Sequence, residues 1–144
     1  MDRTATYDDV NLVLRLYDMR REERMRQARQ WFAASFKAKT LDEFNALCPP
    51  GSDANASYRM VTTYWEMVAS FITGGVLNEG LFFESGRELL FVWERIRDLV
   101  PELRKSAKDP AGFRNLELAA TAYIKWWNAR APEAYAAFSA RVRG

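Results

Sequence analysis

Apolar side chains recur at helical spacing along two sides of residues 58–78. Between Met60 and Asn78, Glu66 is the only charged residue. The two apolar stripes cover more than half of a helix circumference, which is typical of a helix surrounded by other helices. The pattern therefore predicts a central helix over 56–73. The stripes are Tyr58, Val61, Trp65, Val68 and Ile72 on one side, and Met60, Tyr64, Met67 and Phe71 on the other.

The N-terminal pattern predicts one long helix over 7–39, with an inward stripe that begins at Val10, Leu14 and Tyr17. A capping box at Thr40 and Glu43 predicts a short second helix that ends at Leu47. The inward stripe of the first helix continues through Met25, Ala28, Phe32 and Phe36, and Leu12, Leu16 and Met19 widen its first half.

The second half of the chain predicts three further helices after the central one. Gly74 and Gly75 end the central helix, and Asn78 caps a fourth helix whose apolar stripe passes Pro101 without losing phase. We expect a kink or a restart at Pro101. A fifth helix follows Asp109–Pro110, and a short last helix follows Ala131–Pro132. No strand alternation is present, so we expect an all-α fold, an antiparallel bundle of five to six helices forming a single domain over 1–144.

Composition narrows the chemistry. The 144 residues contain no histidine and one cysteine, with a net charge of +2. Without histidine, Ser-His-Asp and Cys-His hydrolases, His-ligated zinc and Glu-x-x-His di-iron sites are excluded. The balanced charges favour neither a nucleic-acid nor a membrane partner. The N-terminus does not resemble a signal peptide, and one cysteine suits a reducing compartment. We expect a cytoplasmic protein with no cofactor and no metal.

Two carboxylate pairs on the fourth helix have i,i+4 spacing. Hard cations such as Mg²⁺ take oxygen ligands, so a metal site is one interpretation. Glu84 and Glu88, however, fall opposite the apolar stripe and are expected to point to water, and neighbouring arginines would compete with a metal. Carboxylates that face the solvent are the simpler interpretation. The pairs are Glu84 with Glu88 and Glu94 with Asp98.

Glu66 is the strongest candidate for a special role, because a carboxylate on an interior helix must be paired or hydrogen-bonded. One interpretation is a structural ion pair, with Arg104 the first choice and Arg20 or Arg24 the alternatives. The other is a ligand-binding or catalytic carboxylate. We name no catalytic residue.

Four tryptophans are candidates for a pocket or an interface. Trp65 and Trp93 lie on the predicted inward stripes. Trp126 and Trp127 are adjacent and cannot both face the core, so one of them is expected at an edge, where it could contact another copy.

The stretch 64–118 resembles a family of bacterial all-helical domains of unknown function. Some relatives look membrane-anchored through an apolar N-terminal helix, whereas the first helix of this chain is amphipathic and arginine-rich. The resemblance singles out Glu66 and Arg104 as motif residues of opposite charge. The matching motifs are Trp65-Glu66, Gly75-x-Leu77, Trp93-x-x-Ile96 with Pro101 and Arg104, Asp109-Pro110 and Glu117-Leu118.

The sequence thus predicts a non-enzymatic helical interaction or scaffold protein that forms homo-oligomers. The alternative is a small-molecule-binding or enzymatic bundle that uses Glu66 in an aromatic-lined pocket, with the ligand unidentified.

Overall fold

The computed structural model describes residues 3–144, which form nine α-helices and no strand. The all-α prediction is confirmed, but the predicted count of five to six helices is wrong, since two of the predicted helices are broken into shorter ones. The helices are α1 (Tyr7–Arg20), α2 (Glu23–Ser35), α3 (Leu41–Leu47), α4 (Asp53–Thr73), α5 (Glu79–Phe83), α6 (Arg87–Ile96), α7 (Val100–Ala107), α8 (Arg114–Arg130) and α9 (Ala134–Arg143).

The predicted first helix is two helices, separated at Arg21 and Glu22. The Glu22 carboxylate accepts hydrogen bonds from the backbone N–H groups of Arg24 and Met25, both at 3.0 Å. A side chain that satisfies these donors acts as an N-cap, so a new helix begins where the sequence pattern alone continues in phase. The second of the two helices also ends earlier than predicted, at Ser35.

The predicted fourth helix is three helices, although its apolar phase survives both breaks. Leu89, Trp93 and Ile96 on α6 are all buried, as the stripe predicted. Pro101 lies in the first turn of α7, where its missing N–H costs nothing. The restart predicted at Pro101 is therefore confirmed, and a break at Gly86 was missed. A side chain at Gly86 would collide with the Phe82 ring, which packs directly on its backbone.

Several predicted helix ends are confirmed. Thr40 and Glu43 form the expected capping box, and the Asn78 side chain accepts the backbone N–H of Leu81 at 2.8 Å. Gly75 adopts the left-handed conformation, with φ of 80°, just after α4. The start of the predicted fifth helix was wrong: Asp109 caps a turn by accepting the N–H of Ala111, and the helix begins only at Arg114.

The central position predicted for residues 56–73 is confirmed, because α4 packs against α2, α6 and α8. Trp65, Val68 and Ala69 on α4 are fully buried. α9 packs on α6 and α8, and α1 packs on α2 and α5. None of the helices among residues 3–144 combines the length and the hydropathy needed to cross a bilayer.

Candidate functional site

Glu66 caps the N-terminus of α8 from the neighbouring helix α4. Its Oε1 accepts the Leu116 N–H at 2.8 Å, and its Oε2 accepts the Asn115 N–H at 3.3 Å and the Asn115 side-chain amide at 2.9 Å. The residue in the cap position of α8 is Phe113, which is left-handed with φ of 59° and has no oxygen in its side chain. Glu66 therefore supplies the hydrogen-bond acceptor that Phe113 lacks, and its negative charge adds to that of Glu117 in the first turn of α8.

The predicted ion pair between Glu66 and Arg104 is wrong. Arg104 donates to Glu117 at 2.6 Å and to the Gly112 carbonyl at 2.7 Å, so it closes the loop between α7 and α8. Glu66 and Arg104 therefore both contact the start of α8 or the loop before it, Glu66 from α4 and Arg104 from α7. Glu66 is half-buried rather than fully buried.

The alternative partners proposed for Glu66 are engaged elsewhere. The Arg24 guanidinium donates to the Ser57 hydroxyl at 3.2 Å. The Arg20 guanidinium carbon lies 5.4 Å from the Trp65 ring centroid, within cation–π range. These contacts leave Glu66 to α8.

The tryptophans divide between the core and its edge. Trp65 and Trp93 are buried, as predicted, and Trp127 is buried with them. Trp126 is the half-buried member of the adjacent pair. The Arg130 guanidinium carbon lies 4.2 Å from the Trp126 ring centroid and is held there by a bidentate pair with Glu84. Trp126 is thus the edge residue that the sequence left unassigned, and an arginine covers one face of it.

The four carboxylates of the two i,i+4 pairs make contacts between helices. Glu94 was missed as a buried residue: its side chain is fully enclosed and accepts the hydroxyls of Tyr135 at 2.8 Å and Ser139 at 2.6 Å, which fastens α9 to α6. Within residues 3–144, no three or more acidic or cysteine side chains gather into a group that could hold a metal ion. All four also pair with an arginine: Glu84 with Arg130, Glu88 with Arg29, Glu94 with Arg97 at 3.5 Å, and Asp98 with Arg143.

The outer face of α1 carries an apolar stripe that the rest of the described chain does not cover. Here the prediction of an inward stripe at Val10, Leu14 and Tyr17 is wrong. Their exposed fractions are 39%, 58% and 46%, and that of Tyr7, one step before them, is 78%. We call Tyr7, Val10, Leu14 and Tyr17 the α1 stripe. Its steps of three, four and three residues are those of a heptad seam.

A polar anchor decides which face of α1 turns inward. Asp9 is buried and accepts a bidentate pair from Arg3, with both bonds at 2.6 Å, as well as the backbone N–H groups of Thr6 and Asn78. The Arg3 guanidinium holds the pKa of the Asp9 carboxyl well below its usual range, and the backbone N–H groups of Thr6 and Asn78 lower this pKa further. Because Asp9 must face α5, the neighbouring α1 stripe is rotated to the outside.

The far end of α1 is anchored by a second contact. Leu16 is buried, and its carbonyl accepts the Tyr64 hydroxyl at 2.5 Å. Burial raises the pKa of this hydroxyl to about 12, so it remains a donor at any physiological pH. The two anchors at Asp9 and Leu16 fix the rotation of α1 along its length.

The fold and the site define an all-helical domain in which the carboxylate of Glu66 caps α8 and most of the exposed large apolar side chains lie on the first helix. Residues 5–139 match the family described as Domain of unknown function (DUF4760), and the chain belongs to that family. The resemblance to a family of all-helical domains of unknown function is thereby confirmed, while a bacterial origin stays a prediction. Searches of curated proteins and of solved structures give no match.

Proposed function

We propose that this domain is a non-enzymatic interaction module that self-associates through the α1 stripe, two copies packing α1 against α1 in antiparallel orientation. The observation that carries the proposal is where the apolar exposure lies. Of the seven large apolar side chains that are exposed among the described residues, five lie on α1. Exposed apolar residues gathered on one element mark an interaction site, whereas scattered ones do not.

The α1 stripe is self-complementary about its own midpoint. In an antiparallel pair related by a twofold axis near residue 12, Val10 of one copy lies level with Leu14 of the other. Tyr7 likewise lies level with Tyr17, so every apolar residue of the stripe meets another one. A contact in which the same patch serves both copies is the form that closed dimers use.

The helix dipoles favour the antiparallel orientation. Each α1 helix carries a partial positive charge at its N-terminus and a partial negative charge at its C-terminus. A parallel pair would place like ends beside each other, whereas the antiparallel pair places the N-terminus of each copy beside the C-terminus of the other.

The size of the surface predicts a weak dimer. A helix of 14 residues is only ~21 Å long, and a stable interface buries ~800 Å² on each partner. A groove of about 240 Å³ beside the stripe, lined by Val13, Phe82 and Ser85, extends the apolar surface. We expect dissociation in the micromolar range rather than an obligate dimer. The proposal treats 1–144 as one domain acting in the cytoplasm.

Glu66 no longer supports the small-molecule alternative. Both of its oxygens accept N–H donors from α8, so a capping role explains the carboxylate without a ligand.

Sedimentation equilibrium of three proteins tests the proposal. The wild-type chain should show a concentration-dependent dimer, and Leu14→Glu should be monomeric because it places a charge at the centre of the seam. Leu118→Glu is the matched control, since Leu118 is a leucine with an exposed fraction of 44% on α8, away from the stripe. A wild-type protein that stays monomeric at roughly 100 μM, or a control that dissociates as readily as Leu14→Glu, would overturn the proposal.

A further inference from the structure

A second surface feature lies away from the α1 stripe, between α2 and α6. It is a pocket of about 460 Å³, within the range of ~300–1,000 Å³ typical of small-molecule sites. Its base is apolar, because Phe32, Val61 and Val92 are buried beneath it and Phe91 is half-buried at its side. We call it the arginine pocket, since Arg26, Arg29 and Arg87 line it together with a single carboxylate, Glu88.

One wall of the arginine pocket is rigid. Arg29 donates to both oxygens of Glu88 at 2.7 Å and to the Arg20 carbonyl at 3.0 Å. A bidentate pair with a third hydrogen bond fixes the guanidinium in place. Glu88 is thereby neutralised by Arg29, and it does not cancel the charge of the other two arginines.

The remaining two cations lie at the mouth. Arg26 and Arg87 are both exposed, and neither forms an ion pair with a carboxylate among residues 3–144. The Arg87 guanidinium carbon lies 4.1 Å from the Trp127 ring centroid. Stacking occupies the face of a guanidinium and leaves donors at its edge, so Arg87 is positioned but can still bind an anion.

The local charge is large for this protein. The pocket has three arginines against one carboxylate, an excess of two positive charges, and the net charge of the whole chain is also +2. The rest of the chain is therefore neutral overall. A concave apolar site with a cationic mouth favours a ligand that is apolar at one end and anionic at the other.

We infer that the arginine pocket binds an amphiphilic organic anion, whose apolar body packs on Phe32 and Phe91 and whose carboxylate or phosphate group binds Arg26 and Arg87. The site is independent of dimerisation, because none of the lining residues lies on α1. Binding requires both parts of the ligand, since the apolar base supplies affinity and the arginines supply selection for charge.

Two fluorescent probes with the same ring system test the requirement for charge. 8-Anilinonaphthalene-1-sulfonate carries the anion, and N-phenyl-1-naphthylamine lacks it. The folded protein should bind the sulfonate at least roughly tenfold more tightly than the neutral amine, the scale expected for a charge-assisted contact. Equal affinities for the two probes would show an ordinary apolar patch and would overturn the inference.

Adjacent alanines on α2 provide a matched steric test. Ala33 and Ala34 are both exposed, but only Ala33 lines the arginine pocket. Ala33→Trp should fill the mouth and abolish binding of the sulfonate probe, whereas Ala34→Trp should bind as the wild-type protein does. Both substitutions leave the core untouched, so circular dichroism melts should coincide. Equal binding by the two variants would place the probe elsewhere on the protein.

A charge reversal tests the arginine at the mouth. Arg26→Glu should weaken the sulfonate probe roughly tenfold or more and leave the neutral amine unchanged. Lys125→Glu makes the same change in net charge at an exposed position on α8 outside the pocket, and it should have little effect. An equal loss in both variants would mean that only the overall charge matters, which contradicts the inference.

Displacement of the bound probe distinguishes the two headgroups. Decanoate and decyl phosphate share an apolar chain and differ in the anion, and both should displace the sulfonate probe while decanol should not. Stronger displacement by one of them identifies whether the pocket selects a carboxylate or a phosphate. Displacement by decanol as effective as that by the two anions would contradict the role of the arginines.

Discussion

The α4–α8 junction and the outer face of α1 use their side chains in opposite ways. At the junction, the polar side chains are engaged inside the fold: Glu66 caps α8, and Arg104 closes the loop before it. On α1, four apolar side chains at heptad spacing remain exposed. The junction thus has charged residues at half-buried positions, and α1 has apolar residues at solvent-exposed positions.

The difference separates structural residues from residues available for interaction. A buried or half-buried polar group is explained once its hydrogen bonds are found within the same chain. An exposed apolar seam has no such internal explanation, because its exposure to water is unfavourable and is relieved only at Tyr17, whose ring lies near the guanidinium groups of Arg20 and Arg21. For this reason we assign the interaction surface to α1 and not to Glu66.

The largest loss of stability should come from a substitution on the buried face of α4. Trp65 is fully buried, so Trp65→Ala should lower the free energy of unfolding by about 3–5 kcal/mol. Leu14→Ala, measured at concentrations where the protein is monomeric, should change it by less than about 0.5 kcal/mol. Denaturant melts of both variants check this contrast. A loss at Leu14 comparable to that at Trp65 would mean that the α1 stripe is buried within the monomer.

A smaller loss of stability is expected from a substitution at the α4–α8 junction. Glu66→Ala removes the acceptor for the start of α8, and it should lower the free energy of unfolding by about 1–3 kcal/mol. Glu102→Ala is the matched control, because this carboxylate is half-exposed and its one ion pair within residues 3–144 is a long one of 3.8 Å with Lys105.

A double-mutant cycle between Glu66 and Asn115 should show a coupling of about 0.5–3 kcal/mol, since the two side chains are in contact. Fully additive losses would contradict the hydrogen bond between the Asn115 side-chain amide and the Glu66 carboxylate. A Glu66→Ala protein that is more stable than the wild type would restore the interpretation of Glu66 as a functional carboxylate.

A further effect on stability depends on pH. Because the folded-state pKa of Asp9 is lowered by Arg3, the stabilisation from Asp9 is complete above the unfolded pKa of about 3.9 and is lost as pH falls below it. The difference in the free energy of unfolding between the wild type and Asp9→Asn should therefore be constant near neutral pH and should become smaller at acidic pH. Asp18→Asn, on the exposed side of the same helix, serves as the matched charge control. If thermal melts below pH 4 show that this difference stays the same, the stabilising role of the ion pair between Asp9 and Arg3 would be contradicted.

The sequence was informative where a local rule decides the structure. The capping box at Thr40, the cap at Asn78 and the proline restart at Pro101 each depend on a few neighbouring residues, and all three are confirmed. The stripe of Trp65 on α4 and that of Trp93 on α6 predicted buried faces, because each of these helices is covered by several neighbours. The second α4 stripe is buried only at Tyr64, whereas Met60, Met67 and Phe71 are half-buried.

The rest could not be read from periodicity, because it depends on contacts distant in sequence. Apolar residues of α1 lie outside its stripe as well as in it, so the pattern does not say which part of the helix is buried. Asp9 decides it through Arg3 and Asn78. The partner of Glu66 was missed for a similar reason: Phe113 carries no capping oxygen, and a cap supplied from another helix leaves no motif in the local sequence.

Cysteine cross-linking of α1 tests the central claim most directly. Val10→Cys and Leu14→Cys proteins are mixed and treated with a short thiol cross-linker, with Leu118→Cys as the control for chance encounters and the buried Cys48 unchanged. The antiparallel seam predicts that the Val10→Cys and Leu14→Cys proteins link to each other faster than either links to itself. Faster self-linking would show a parallel pair, and rates no higher than those of Leu118→Cys would show that α1 is not where two copies meet.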